Sequence, residues 1–158
     1  MPYFSRHGGW SRKANTTFRS GSEEKIKEEL ENARVKYEYE KHRVDYTLPS
    51  PIHHYTPDFV LENGIIIEVK GRFDSKDRAK HIAIKNQHPD LDIRFVFDGT
   101  ARYPSRTKIS KISKTTYGIW CEKHGFMYAD HYIPLEWLKE KKKPLPTKDI
   151  YKRGEKNT

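Results

Sequence analysis

The stretch YTPDFVLENGIIIEVKG, residues 55–71, leaves the chain few choices. Two runs rich in aromatic and β-branched residues flank a short loop that contains glycine, and such a pair reads as a β-hairpin. Three charges interrupt it. Asp58 opens the first run, and Glu68 and Lys70 stand near the end of the second. Loop length decides which face they share. With a two-residue Asn63-Gly64 turn, 59 faces 68 and 58 faces 69, so Asp58 and Glu68 fall on opposite faces and charge mixes with apolar residues on both. With a three-residue loop of Glu62, Asn63 and Gly64, 58 faces 68, 60 faces 66 and 61 faces 65. Loops of that length place a residue in the left-handed region, which suits Gly64. One face then collects Phe59, Leu61, Ile65, Ile67 and Val69, and the other Asp58, Val60, Ile66, Glu68 and Lys70. The first is a core face; the second has an apolar base and a charged end. Pattern selects register wherever one face is buried, so the three-residue loop is expected.

Two carboxylates with Cβ atoms roughly 5 Å apart repel each other unless positive charge lies between them. An ion pair with Lys70 needs only one carboxylate, and apolar residues would stabilise the strand better. The arrangement instead suits a hard divalent cation such as Mg²⁺, which takes oxygens from one or two carboxylates and keeps water and phosphate oxygens for the rest. Asp58 and Glu68 supply that minimum, and the backbone carbonyl of Val69 is a further candidate ligand. A metal there would polarise a phosphodiester and lower the pKa of a bound water. Lys70 is placed to orient that water and to offset charge building on the phosphorane.

The rest of the chain reads as a mixed α/β domain. SGSEEKIKEELENARV predicts a helix over 21–34, with Ile26, Leu30 and Ala33 on one face and Ser20 and Glu23 in the spacing of a capping box. KYEYEKHRVDYTL alternates and predicts one strand over 37–47. PSPIHHYTP, with three prolines in nine residues, is expected to be a stiff extended connector and not an interior strand or helix. A helix over 75–87 follows, capped by Asp74 or Ser75 and stopped before Pro89. A strand over 91–97, a basic loop (DGTARYPSRTKISKISK), a short helix over 116–124 closed by Gly125, a short strand in FMYAD and a helix opened by Pro134 complete the order. Trp120 and Trp137 are expected in the core, and His53 and His54 as exposed connector residues. Residues 1–19 read as a flexible basic arm and 141–158 as a disordered basic tail, which leaves 20–140 as the folded domain.

With 34% hydrophobic and 34% charged residues in 158, the core is modest and a partner subunit would help it. No run approaches the roughly 18 apolar residues of a membrane span. The first twenty residues lack the apolar segment of a secretory signal. A single cysteine, Cys121, excludes an intrachain disulfide and a cysteine-based zinc cluster. A soluble intracellular protein is expected. The net charge of +9 favours a polyanionic partner, nucleic acid above all. Candidate phosphate contacts are Lys13 and Arg19 in the arm, and Arg102, Arg106, Lys108, Lys111 and Lys114 in the loop between ordered elements. Such contacts carry no base information, so selection would rest on shape.

Pro57-Asp58 followed by Glu68-Val69-Lys70 resembles the catalytic pattern of the PD-(D/E)XK nucleases, in which an acidic residue on the preceding helix commonly completes the metal shell. On the residues alone, Glu23 and Glu24 are both open for that place, and Glu23 serves equally well as the capping-box glutamate. The blocks FRSG, YTPDF, NGI with the following glutamate and KG, QHPDLDIR, YG, CEKHG and IP with the following EW, in that order over roughly residues 18–140, resemble the bacteriophage endonuclease I family. That resemblance implies a restriction-endonuclease-like mixed central sheet flanked by helices. It implies a Mg²⁺-dependent enzyme, with Mn²⁺ as substitute, that cuts branched DNA, including four-way (Holliday) junctions. It selects Glu23 over Glu24 and implies Glu23, Asp58, Glu68 and Lys70 as catalytic, with Glu23, Asp58, Glu68 and Val69 around the metal. It further implies a strand-exchanged homodimer with composite sites, joined through the proline-containing stretch 44–51, acting in the cytoplasm of an infected bacterial host.

Two other readings stay open: a restriction-like or repair nuclease acting on duplex DNA, and a DNA-binding protein that keeps the hairpin without cutting. The intact set of Asp58, Glu68 and Lys70 weighs against the second, because two close carboxylates repel phosphates unless a cation intervenes.

Overall fold

The computed structural model describes residues 21–48, 52–98 and 102–155. The arm, with Lys13 and Arg19, and Ser20 of the expected capping box lie outside the described residues. The hairpin forms the centre of the fold. Strands β4 (Phe59–Leu61) and β5 (Ile66–Lys70) pair antiparallel with Phe59 opposite Ile67 and Val60 opposite Ile66, the register of the three-residue loop. Gly64 takes φ +89° and its N–H donates to the Leu61 carbonyl at 3.0 Å.

On one side of the hairpin lies β1 (Tyr37–Tyr39), antiparallel to β4; on the other lie β6 (Ile93–Phe97) and β7 (Tyr128–Asp130), each parallel to its neighbour. The five-stranded order is β1-β4-β5-β6-β7. Parallel neighbours need crossovers. Helix α2 (Ser75–Gln87) supplies the first and α3 (Tyr117–His124) the second. Asp74 caps α2 by accepting from the Asp77 amide, and Gly125 closes α3 in the left-handed region at φ 74°.

The two faces of the sheet carry separate cores. Ile26 and Leu30 of α1 (Gly21–Asn32) and Trp137 of α4 (Leu135–Lys139) cover Phe59, Leu61, Ile65, Ile67 and Val96. Ile84 of α2 and Trp120 and Cys121 of α3 cover Val60, Ile66, Ile93, Phe95 and Phe97. Trp120 and Trp137 are thus core residues, and the buried Cys121 thiol is pushed up to about 12 by burial. Helices on both faces of a mixed sheet match the expected class. Among the described residues no helix is long and apolar enough to cross a membrane.

Three expectations need correction. The single strand over 37–47 is two strands. The break falls at Glu40, a left-handed residue at φ 48°, and β2 (His42–Thr47) leaves for a second sheet, where it lies between β3 (Ile52–Tyr55) and β8 (Tyr151–Lys152). The two halves serve different cores: Tyr37 and Tyr39 pack on Phe59, whereas Val44 and Tyr46 pack with the α2 side. The proline-rich connector contains β3 (Ile52–Tyr55), which pairs back on β2 from Val44↔Tyr55 to Thr47↔Ile52. Pro57 lies outside this pairing, and β3 is an edge strand, where missing donors are tolerated. Residues 44–47 and 52–55 of one chain therefore pair with each other. The tail is not disordered through residue 155: Ile150 is buried in the core, and β8 (Tyr151–Lys152) pairs with His42 and Arg43.

The hairpin tip is clasped by this C-terminal segment. Asn63 Nδ2 donates to the Trp137 carbonyl at 2.8 Å, and the Lys143 amide donates to the Asn63 carbonyl at 2.9 Å. A Cβ at Gly64 would stand 2.5 Å from the Lys143 carbonyl oxygen. Gly64→Ala is expected to cost about 3 kcal/mol, from left-handed strain plus the backbone clash. Thermal denaturation followed by circular dichroism measures it, and an unchanged midpoint would contradict the clasp.

Candidate active site

Asp58 directly precedes β4 and Glu68 and Lys70 lie on β5, and the three line one polar cleft of about 510 Å³. Asp58 is 8% exposed and its Oδ2 accepts the Val69 N–H at 2.9 Å. The hairpin ladder thus fixes the carboxylate's direction. Glu68 is 4% exposed and both its oxygens are engaged. Lys70 Nζ lies 3.0 Å from Oε1, and the Tyr55 hydroxyl donates to Oε2 at 2.7 Å. Lys70 also reaches Asp77 Oδ1 at 3.4 Å from the first turn of α2.

From the other side come Glu23, in the first turn of α1, and Glu40, at the break between β1 and β2. The Tyr39 hydroxyl donates to Glu23, and the Glu40 amide donates to the Asp58 carbonyl at 3.3 Å. Carboxylate oxygens of Glu23, Glu40 and Asp58 all lie within 4.8 Å of one another. Burial, then the charges of Glu68 and Glu23, push the Asp58 carboxyl well above its ordinary range; the Val69 amide and Lys70 only partly offset them. Glu68 goes the other way: burial would raise it, but Lys70, His81 and Lys80 together hold it low. Lys70 itself is held up by Glu68 against its own burial.

Burial and the neighbouring carboxylates thus disfavour the Asp58 charge. An all-oxygen donor set of three carboxylates suits Mg²⁺ or Mn²⁺ and not a soft metal. Glu68 flanks this trio, already paired, and Val69 lines the same cleft. Of the two open glutamates in α1, it is Glu23 that joins the group.

The basic loop leaves the same edge of the sheet. The Asp98 N–H donates to the Lys70 carbonyl at 2.8 Å, and the loop's base is tied by the Gly118 and Tyr117 amides to the Ser105 and Thr107 carbonyls, each at 2.9 Å. Arg102, Arg106, Lys108, Lys111 and Lys114 are all exposed. His54 borders the cleft but pairs with Asp45 at 2.6 Å, and His53 stacks on Tyr46.

Sequence reasoning missed Glu40, Tyr55 and His81. His81 is fully buried, 3.7 Å from Glu68 Oε1. Its position three residues before Ile84 on an inward helix face was a legible signal. Glu40 gave none, since nothing in EYEKH marks a left-handed residue.

A profile described as Phage endonuclease I matches residues 4–157. Endonuclease I of Escherichia phage T7 is 50% identical over 137 residues, 87% of this chain and 89% of that one. Endodeoxyribonuclease 1 of Enterobacteria phage T3 is 52% identical over 129 residues, 82% of each chain. With a family match over almost its whole length and about half of the aligned residues shared with each of two such relatives, this chain belongs to the phage endonuclease I family.

Proposed function

We propose that this protein is a divalent-metal-dependent DNA endonuclease that resolves four-way junctions and other branched DNA in a bacterium infected by phage. The observation that carries the reading is the meeting of Glu23, Glu40 and Asp58 beside the Glu68–Lys70 pair in a chain of the endonuclease I family.

Glu23, Asp58 and Glu68 are the catalytic carboxylates, and Lys70 is the catalytic ammonium. Glu23, Asp58, Glu68 and the Val69 carbonyl hold the metal, and Glu40 is added to that set. Bound there, Mg²⁺ or Mn²⁺ polarises the scissile phosphate and acidifies a water. Asp58 keeps its aim because the Val69 amide holds it. Lys70, released from Glu68 and Asp77, orients the attacking water and offsets charge on the phosphate. Arg102, Arg106, Lys108, Lys111 and Lys114 bind phosphates of the arms, which supports selection by shape and not by sequence.

Two cuts across a junction of near two-fold symmetry call for two sites, which a homodimer supplies. The β2–β3 return supports exchange. An antiparallel pair made within one chain re-forms between two chains on exchange, and Glu23 of one subunit then meets the hairpin of the other.

The test is a synthetic four-way junction and the matching linear duplex, each with Mg²⁺ and with EDTA, alongside light scattering for subunit number. Paired cuts in the junction, lost in EDTA, are expected. Equal cutting of the duplex would replace this reading with a duplex nuclease, and binding without cutting would leave only a DNA-binding protein. In the same assay, Glu40→Gln is expected to raise the Mg²⁺ concentration for half-maximal rate by about tenfold. An unchanged Mg²⁺ titration would remove Glu40 from the metal set.

A further inference from the structure

His81 has no reason of packing to be a histidine. It is 0% exposed, on the inward face of α2, and neither ring nitrogen has a hydrogen-bond partner among the described residues. Its neighbours are the rings of Tyr55, Phe95, Phe126 and Phe73, with centroids 4.8 to 6.5 Å away. Leucine would fill such a site without stranding two polar atoms, and stranded polar atoms in a core are destabilising. What distinguishes the site is its neighbour. His81 Nε2 lies 3.7 Å from Glu68 Oε1, the same oxygen that Lys70 holds at 3.0 Å.

We propose that Tyr55 and His81 are a positioning pair behind Glu68: Tyr55 keeps the carboxylate in place, and His81 takes the oxygen that Lys70 gives up when Lys70 turns to the DNA. This rests on the nuclease reading above. In the resting site Lys70 is tied to Glu68 and Asp77, so engaging a phosphate or its attacking water loosens the Glu68 contact. A buried carboxylate that loses a donor is free to swing unless another donor replaces it. Tyr55, 2% exposed, already holds Oε2 at 2.7 Å and fixes one end of the group. A closing of about 0.8 Å brings Nε2 to ordinary N–H···O length from Oε1. The carboxylate then stays aimed while the ammonium is elsewhere. Neither residue touches the DNA in this scheme; both act through Glu68.

Three variants test it: His81→Leu, His81→Gln and Tyr55→Phe. Each is measured for single-turnover cutting of a four-way junction in saturating Mg²⁺, for junction affinity in Ca²⁺, and for its melting midpoint in EDTA. His81→Leu is expected to lose about 10- to 100-fold in rate while its affinity holds and its metal-free midpoint stays level or rises. Glutamine, whose amide nitrogen sits near the place of Nε2, is expected to restore most of the rate. Tyr55→Phe is expected to lose about tenfold in rate with affinity kept. His81→Leu cutting at the wild-type rate would overturn the proposal. So would a fall in its midpoint that accompanies the loss of rate, or a glutamine variant no faster than leucine. Wild-type protein that cuts no junction would instead overturn the nuclease reading itself, so the two failures are distinct.

Discussion

Glu68→Ala is expected to slow junction cutting by about 10³-fold and to leave junction affinity in Ca²⁺ nearly unchanged. The rate falls because one residue anchors the site in two ways. Its buried carboxylate lines the same cleft as Asp58, and it holds Lys70 at 3.0 Å. Without it the site loses a proposed metal-binding carboxylate, and the resting ammonium keeps, among the described residues, Asp77 at 3.4 Å as its ion-pair partner. On the reading proposed above, affinity survives because exposed cations such as Arg106, Lys108 and Lys111 supply the phosphate contacts. Single-turnover kinetics and a gel-shift titration at fixed salt separate the two effects. A variant that cuts at close to the wild-type rate would remove Glu68 from the chemistry, and parallel losses of rate and affinity would make its role one of binding.

Arg94→Ala is expected to lower stability by about 3 kcal/mol and the melting midpoint by about 10 °C. The Arg94 side chain is 3% exposed and carries two forked pairings. Nε and Nη2 donate to the Asp92 carboxylate at 2.9 and 2.7 Å, and Nη1 and Nη2 donate to Glu140 at 2.7 and 2.8 Å. The guanidinium also stands 5.2 Å from the Trp137 ring centre. Through these contacts β6 is pinned to the end of α4. Lysine would not restore it, because a single ammonium cannot make both forks. Acid gives an internal control. Arg94 holds the Glu140 carboxyl below its ordinary range. That contribution is complete above the ordinary glutamate range and is lost as pH falls through the lowered value. The gap between wild type and Arg94→Ala is therefore expected to narrow in acid. Equal midpoints at neutral pH would show that the forks contribute nothing to stability.

The parts of the fold that could be read from sequence were those set by local pattern. The hairpin register followed from Phe59, Leu61, Ile65 and Ile67 needing one buried face. The ends of α2 and α3 followed from Asp74 and Gly125. What escaped was set by tertiary partners. Glu40 adopts a left-handed conformation without being glycine or asparagine, because the strand on either side of it belongs to a different sheet. Ile52–Tyr55 looked like a connector because its flanking prolines were weighed without a partner strand, and β2 supplies one. Ile150 is an apolar residue in a charged tail, and only the pocket that receives it shows its use. At the site, Asp58, Glu68 and Lys70 stood out because charge broke an apolar pattern. Tyr55 and His81 did not, since an aromatic strand residue and a helix histidine are unremarkable until the carboxylate between them is seen.

The bond from the Val69 amide to Asp58 has a use at the bench. This proton sits on the backbone, needs no substitution or label on a catalytic side chain, and is directly bonded to the carboxylate under study. Its chemical shift and its rate of deuterium exchange therefore form a built-in gauge. Titrating the free protein with Mg²⁺ while following that single resonance would register the moment the aspartate changes its company.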